Sequence, residues 1–245
     1  MASRSSRIHK THWDGAEMIV SHTHKFIFVK SLKTAGTSLE AALSRYCSGD
    51  DIVTPLGDYR FNRDESGDRV HQAMNDSGFN QHDDAATIKS KLPAEVWDNY
   101  FKFSITRNPW DRAVSLFFWE YRRDPALVPR KRFYHYLGVP YDEAGELRKR
   151  LGTFVRGDWQ NNDRFYIMDD RLCVDYVIKY ESLEEDFRRV CREVGVPETA
   201  LPRLKTGLRR QGHHYSELFD DESRAIVADR HQNDIAHFGY VFERG

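Results

Sequence analysis

The stretch Lys25 to Cys47, KFIFVKSLKTAGTSLEAALSRYC, constrains the chain more than any other. It opens on Lys25-Phe26-Ile27-Phe28-Val29-Lys30, an apolar, β-favouring run of the length of a buried strand. A loop of small polar residues follows, Ser31 to Ser38, and then Leu39-Glu40-Ala41-Ala42-Leu43, a good helix former. Strand, small-residue loop and helix make an anion cradle, in which loop N–H groups and the positive end of the helix dipole face one point with a lysine beside it. In the nucleotide triphosphate loop G-x-x-x-x-G-K-[ST] the lysine follows the second glycine. Here Lys33 stands three residues before Gly36, the loop's single glycine. Taken alone, the stretch is equally compatible with a plain strand-to-helix turn whose hydroxyls serve as caps.

A second unit of the same build lies downstream. Tyr100 to Thr106 reads as a strand, Arg107 ends it, and Asn108-Pro109-Trp110-Asp111 is a helix start with a capping asparagine, a first-position proline and an acid at the third position. The helix continues through Tyr121. Ser115 lies eight residues after Arg107, about two turns into that helix, so adjacent strands would bring both toward a second phosphate near the first loop. The competing readings are a solvated ion pair for Arg107 and a hydroxyl on a helix face for Ser115. A third strand, Val174 to Tyr180, leads through Ser182 as cap into a helix over 183–194 that Gly195 stops. Repeated strand-loop-helix units imply an α/β fold with a parallel sheet and helices packed on it. Phe117, Phe118 and Trp119 read as core rather than as a substrate platform.

The remaining segments are less regular. Residues 1–24 read as a loosely held arm preceding a single domain over 25–245. Residues 48–84 read as a long irregular insertion, 83–92 as a short helix, and 216–238 as one final helix. Three cysteines, Cys47, Cys173 and Cys191, are odd in number and widely spaced, which argues for free thiols in a reducing compartment such as the cytoplasm. With 37 Lys+Arg against 38 Asp+Glu the charge nearly cancels, giving no electrostatic reason to expect nucleic-acid binding. No apolar run has the roughly 18 residues of a membrane span, and the N-terminus lacks the apolar core of a signal peptide.

KTAGTSLE together with FSITRNPWDRAVS resembles the paired cofactor motifs of sulfotransferases that use 3′-phosphoadenosine-5′-phosphosulfate (PAPS), with the carbohydrate sulfotransferase branch most similar. VDYVIKYESLEEDF and DIAHFGYVF resemble later segments of that family, so the likeness runs from about residue 18 to 242. The resemblance implies a P-loop-like three-layer α/β fold with a central parallel sheet. It implies that Lys33, Thr34, Ala35, Gly36, Thr37 and Ser38 hold the 5′-phosphosulfate, and that Arg107 and Ser115 hold the 3′-phosphate. Lys33 would stabilise the leaving phosphate oxygen, with no metal required. His82, just before a helix upstream of the second motif, would be the base, with His71 in reserve. Lys205, Arg209 and Arg210 lie in a basic loop similar to the family's cofactor-covering loop, and a solvated charged loop is the rival reading. Gln160 and Asp163 are candidates for contact with the acceptor. The family commonly has histidine and proline before the loop lysine, where this chain has Lys30, Ser31 and Leu32. A P-loop kinase and a non-catalytic nucleotide-binding protein on the same fold are the alternatives.

Overall fold

Alternation along short strands decides the layering. In the computed structural model, which describes residues 18–55, 73–76, 78–79, 83–120, 143–157, 159, 161–202, 204 and 214–245, the chain opens with β1 (Met18–Ser21) and β2 (Phe26–Val29). They form an antiparallel hairpin pairing Met18 with Val29 and Ser21 with Phe26. Then come α1 (Gly36–Leu43), β3 (Ile52–Val53), α2 (Ala85–Lys91), α3 (Ala94–Asn99), β4 (Phe101–Thr106) and α4 (Pro109–Glu120). Next are α5 (Glu143–Arg156), a small hairpin of β5 (Ile167–Met168) and β6 (Arg171–Leu172), β7 (Tyr176–Lys179) and α6 (Leu183–Val194). The chain closes with α7 (Asp221–Arg230) and α8 (Gln232–Phe238).

The main sheet has the order β3-β1-β2-β4-β7. Its heart is parallel, β2 beside β4 and β4 beside β7, while β1 and β3 add antiparallel pairs on one side. Side chains of successive residues point to opposite faces. Phe26, Phe28, Phe103, Ile105 and Ile178 therefore pack with Leu39 and Leu43 of α1 and Phe187, Val190 and Val194 of α6. Ile27 and Val29 enter the other layer with Ala85 and Ile88 of α2 and Val96 and Trp97 of α3. This is the expected three-layer α/β architecture. A further apolar cluster joins Trp110, Val114 and Phe117 of α4 to Leu147 and Leu151 of α5 and Val227 of α7. Among the described residues no helix is long and apolar enough to cross a membrane.

Three expectations differ from what is found. The arm drawn over residues 1–24 contains β1, whose four residues are all buried. Three consecutive apolar residues are a weak strand signal; what holds them is pairing with the adjacent β2 on one side and β3 on the other, with Met18 N–H donating to Thr54 Oγ1 at 2.7 Å. The stretch read as irregular over 48–84 supplies β3, and Val53 bridges Met74. The final helix is broken into a 3-10 turn over Tyr215–Leu218, α7 and α8. Asp220 restarts the helix by accepting from Ser223 N–H at 2.8 Å, and His231 interrupts it where its ring turns into the interior.

Candidate active site

The loop between β2 and α1 has an unusual backbone. Lys33 and Ala35 both lie in the left-handed region, at φ +62° and +68°, and Ala35 is immediately followed by helical Gly36. Left-handed and right-handed residues in succession turn consecutive N–H groups toward one concavity, the geometry of an anion-binding nest. The N–H groups of the first helical turn, Gly36 and Thr37 among them, have no intrahelical acceptor and face the same way. Each non-glycine residue in this conformation costs of order 1–3 kcal/mol, so the surroundings must hold it there.

They do so by taking the loop's outward groups one at a time. Thr34 Oγ1 donates to Ser31 C=O at 3.2 Å, and the Ser31 hydroxyl donates to Ile105 C=O of β4. The Leu32 N–H donates to Asn162 Oδ1 at 3.2 Å, and Asn162 Nδ2 donates to Leu32 C=O at 2.9 Å. Arg107 Nη1 donates to Lys33 C=O at 3.1 Å. The carbonyls of Ser31, Leu32 and Lys33 are thus each engaged within the protein. Gly36 has its own reason to lack a side chain. The Lys30 stem crosses it, and Lys30 Nζ reaches the buried Glu40 carboxylate of α1 at 2.9 Å. Thr54 Oγ1 donates to the other Glu40 oxygen at 3.2 Å. Lys30, one of the residues that depart from the family pattern, is thus a structural counter-ion beneath the cradle.

Arg107 joins this loop to α4. Its Nε and Nη2 both donate to Asp111 Oδ2, at 2.8 and 2.7 Å, and its guanidinium lies 3.9 Å from the centre of the Tyr180 ring. Of the five N–H groups of an arginine these bonds use three, which leaves one on Nη1 and one on Nη2 for an anion. Asn108 caps α4 by accepting from the N–H groups of Trp110 and Asp111, and its own N–H donates to Glu181 at 2.7 Å. Asp111, Ser115 and Trp119 are spaced four apart and share one face of α4. Asp111 holds Arg107, and Trp119 lies under Lys33, whose Nζ is 4.2 Å from the ring centre. Ser115, half-buried, sits between them on that face.

Behind the loop runs a buried polar chain. Arg112 and Asn162 are each only 1% exposed. Arg112 Nη1 donates to Asn162 Oδ1 at 3.2 Å, and Nη2 donates to His231 Nε2 at 3.5 Å. Since Nε2 accepts, Nδ1 carries the proton and donates to Asp234 at 3.0 Å. Tyr166 O–H donates to the other Asp234 oxygen at 2.5 Å. Burial pushes the Arg112 guanidinium down to about 10 against the opposing charge of Asp234. Burial likewise depresses His231, with the Asp234 bond working the other way, and raises Tyr166.

Of the residues singled out from sequence, the fold brings Lys33, Thr34, Ala35, Gly36, Thr37, Ser38, Arg107 and Ser115 to one edge of the sheet. The Thr34 hydroxyl is turned inward, which leaves its main chain as its contribution. Phe117 and Phe118 are core, whereas half-buried Trp119 stacks under Lys33. Asp163 accepts from Asn233 Nδ2 at 3.2 Å. His82, His71, Gln160, Lys205, Arg209 and Arg210 lie outside the described residues. Their neighbours are informative: the Asp84 carboxylate acts on Arg164, which places the start of α2 beside the turn that carries Asn162. Leu204 N–H donates to Ser38 Oγ at 3.4 Å, and Tyr215 faces Asp111 and Asn108. Sequence reasoning missed Asn162, Arg112 and the Asp111–Arg107 pair. The pair had a signal in its i,i+4 spacing, and Arg112 had one in standing within an apolar helical run; Asn162 had none.

The sequence profile of the Sulfotransferase family matches residues 16–241. An uncharacterized protein of Archaeoglobus fulgidus is 26% identical over 127 residues, which cover 49% of this chain and 88% of the relative. No solved structure matches the chain.

Proposed function

The chain belongs to the sulfotransferase family, and we propose that it moves a sulfuryl group from PAPS to a hydroxyl of a carbohydrate acceptor. The observation that carries this reading is the double use of Arg107. It fixes Lys33 C=O in the strained loop and still has two N–H groups directed by Asp111, so one cation serves a cradle and a neighbouring anion position. A donor with two separated anionic ends fits such a pair. The donor supplies an activated sulfuryl group, which the acceptor oxygen attacks in line at sulfur. Lys33 and the converging N–H groups stabilise the charge that grows on the leaving phosphate oxygen, as preorganised dipoles and cations do in phosphoryl transfer. Arg107 with Ser115 binds the 3′-phosphate. Lysine, arginine and backbone dipoles supply the positive field, so the mechanism proposed needs no metal.

His82 is the proposed base, accepting the acceptor's proton, a task for which imidazole is the commonest side chain. The assignment is supported by Asp84, two residues on, whose charge acts on Arg164 beside the turn that carries Asn162. Lys205, Arg209 and Arg210 are proposed to cover the 3′-phosphate, supported by the anchoring of Leu204 on Ser38 and of Tyr215 beside Asp111. A cytoplasmic setting is part of the same reading, supported by three cysteines that stand as free thiols.

The test is a thermal shift with 3′-phosphoadenosine-5′-phosphate (PAP) against ATP with magnesium. A ligand at a hundred times its Kd stabilises the native state by about 2.7 kcal/mol. For a chain of this size that raises Tm by roughly 5–10 °C. PAP alone should do so. A shift with magnesium-ATP and none with PAP would overturn the PAPS reading in favour of a nucleotide triphosphate-binding protein, kinase or non-catalytic. Lys33→Ala should abolish turnover, and His82→Ala should remove turnover while PAP still binds. Full turnover in His82→Ala would remove that histidine from the mechanism.

A further inference from the structure

We infer that Asn162 is a positioning residue for the sulfuryl donor, acting through the backbone of Leu32; this rests on the reading of the loop as the donor cradle. The residue comes from a segment 130 positions away and is buried, yet its amide makes both possible hydrogen bonds to a single loop residue. Oδ1 takes the Leu32 N–H and Nδ2 gives to the Leu32 C=O, the pairing a neighbouring strand would offer. Arg112, which can only donate, fixes which end of the amide is oxygen by its bond to Oδ1. Arg112 is in turn held by His231, and His231 by Asp234. The amide therefore cannot turn over without breaking bonds on two sides.

Leu32 is the residue before Lys33, whose left-handed backbone begins the nest. A clamp at that point sets where the N–H groups and the lysine point, and it contributes no atom to the anion itself. Its removal should leave the fold standing and blunt the cradle. Active-site constellations depend on their supports to within about 0.5 Å, so a small relaxation is enough.

Asn162→Asp is the sharpest probe. The carboxylate still accepts from Leu32 N–H and gains charge attraction to Arg112, which favours folding, but it sets oxygen against the Leu32 carbonyl. Expected are a ligand-free Tm close to wild type, PAP binding by calorimetry weakened about tenfold, the effect of roughly one such bond, and kcat lowered by up to about a hundredfold. The KM for the acceptor should not move. Asn162→Gln, which restores a donor one methylene further out, should recover part of the PAP affinity. Wild-type PAP affinity in folded Asn162→Asp would overturn the inference, as would failure of both variants to fold, which would make the residue a structural support. If wild type binds ATP and not PAP, the donor reading falls, and the same comparison made with ATP decides the clamp.

Discussion

Gly36→Ala separates two opposite expectations. Gly36 begins α1 with ordinary helical backbone, where alanine is normally favourable by about 0.4–1 kcal/mol because it restricts the unfolded chain. The packing says otherwise. A methyl group at Gly36 would stand 2.5 Å from Lys30 Cγ, 2.9 Å from Cε and 3.0 Å from Cδ. The nearest atom is close to the main chain of Lys30, and the far end of that side chain is tethered to Glu40, so the stem cannot bend away cheaply. Lys30 must leave its route and break an ion pair whose side chains are 4% and 0% exposed. Removing one partner of a buried pair costs about 3–5 kcal/mol. Lys30 can carry its charge toward water and Thr54 still donates to Glu40, so a net loss of about 2–3 kcal/mol is expected, or roughly 5–10 °C in Tm. Urea unfolding of Gly36→Ala, Lys30→Ala and the double variant measures the coupling. With no side-chain atom beyond Cβ left at position 30, the alanine at position 36 should cost less than about 1 kcal/mol. A Gly36→Ala variant as stable as wild type, or an alanine cost unchanged in the Lys30→Ala background, would refute this account of the glycine.

Two further outcomes follow from the same geometry. Arg107→Lys keeps the charge but loses the paired bonds to Asp111 and the bond to Lys33 C=O, and lysine cannot span both. PAP binding by calorimetry should fall by tenfold or more with a small change in Tm; unchanged affinity would remove Arg107 from the donor site. His231 is depressed below 6.5 by burial, with Arg112 adding to the effect and Asp234 and Asp163 opposing it. The unfolded chain thus takes up its proton at a higher pH than the native one, so stability is intact above 6.5 and declines as pH falls from there toward the native pKa. Asp51 and Asp220, both held below 3.8, add their losses only in stronger acid. Urea midpoints at pH 7.5 and 5 should converge in His231→Gln, and an identical acid-side decline in variant and wild type would exclude His231 as its source.

The readable parts of this chain are those whose cause is local. Phe26–Val29, Phe101–Thr106 and Tyr176–Lys179 are strands because short β-favouring runs end at polar loops, and α4 starts where Asn108 and Pro109 say a helix can start. The anion loop was legible as a loop but not as a nest, because neither lysine nor alanine advertises a left-handed backbone. That conformation is imposed from outside by Ile105, Arg107 and Asn162. The strand Met18–Ser21 has a different cause: three apolar residues are too short a run to stand out although its hairpin partner β2 is adjacent, and only β3 and Thr54, more than thirty residues on, complete its pairing. Lys30 looked like a departure from the pattern, and only the path of its side chain over Gly36 to Glu40 shows what it does.

One helix ties these pieces together. Within α4, Asp111 holds Arg107, Arg112 orients Asn162 and through it Leu32, and Trp119 receives Lys33. Those contacts run from Asp111 to Trp119, nine residues and about 12 Å of helix. They touch the loop at Leu32, at the carbonyl of Lys33 and at its ammonium group. The loop and the Arg107–Ser115 face, the two halves of the proposed donor site, are therefore two sides of one rigid element. A displacement of α4 along its axis would misplace both at once, whereas a change at Asn162 would disturb the cradle and leave Ser115 where it is. That difference gives the two kinds of variant separate signatures. Substitutions in the α4 core, such as Phe117 or Val114, should weaken every contact of the donor together, and substitutions at the clamp should weaken those of the loop alone.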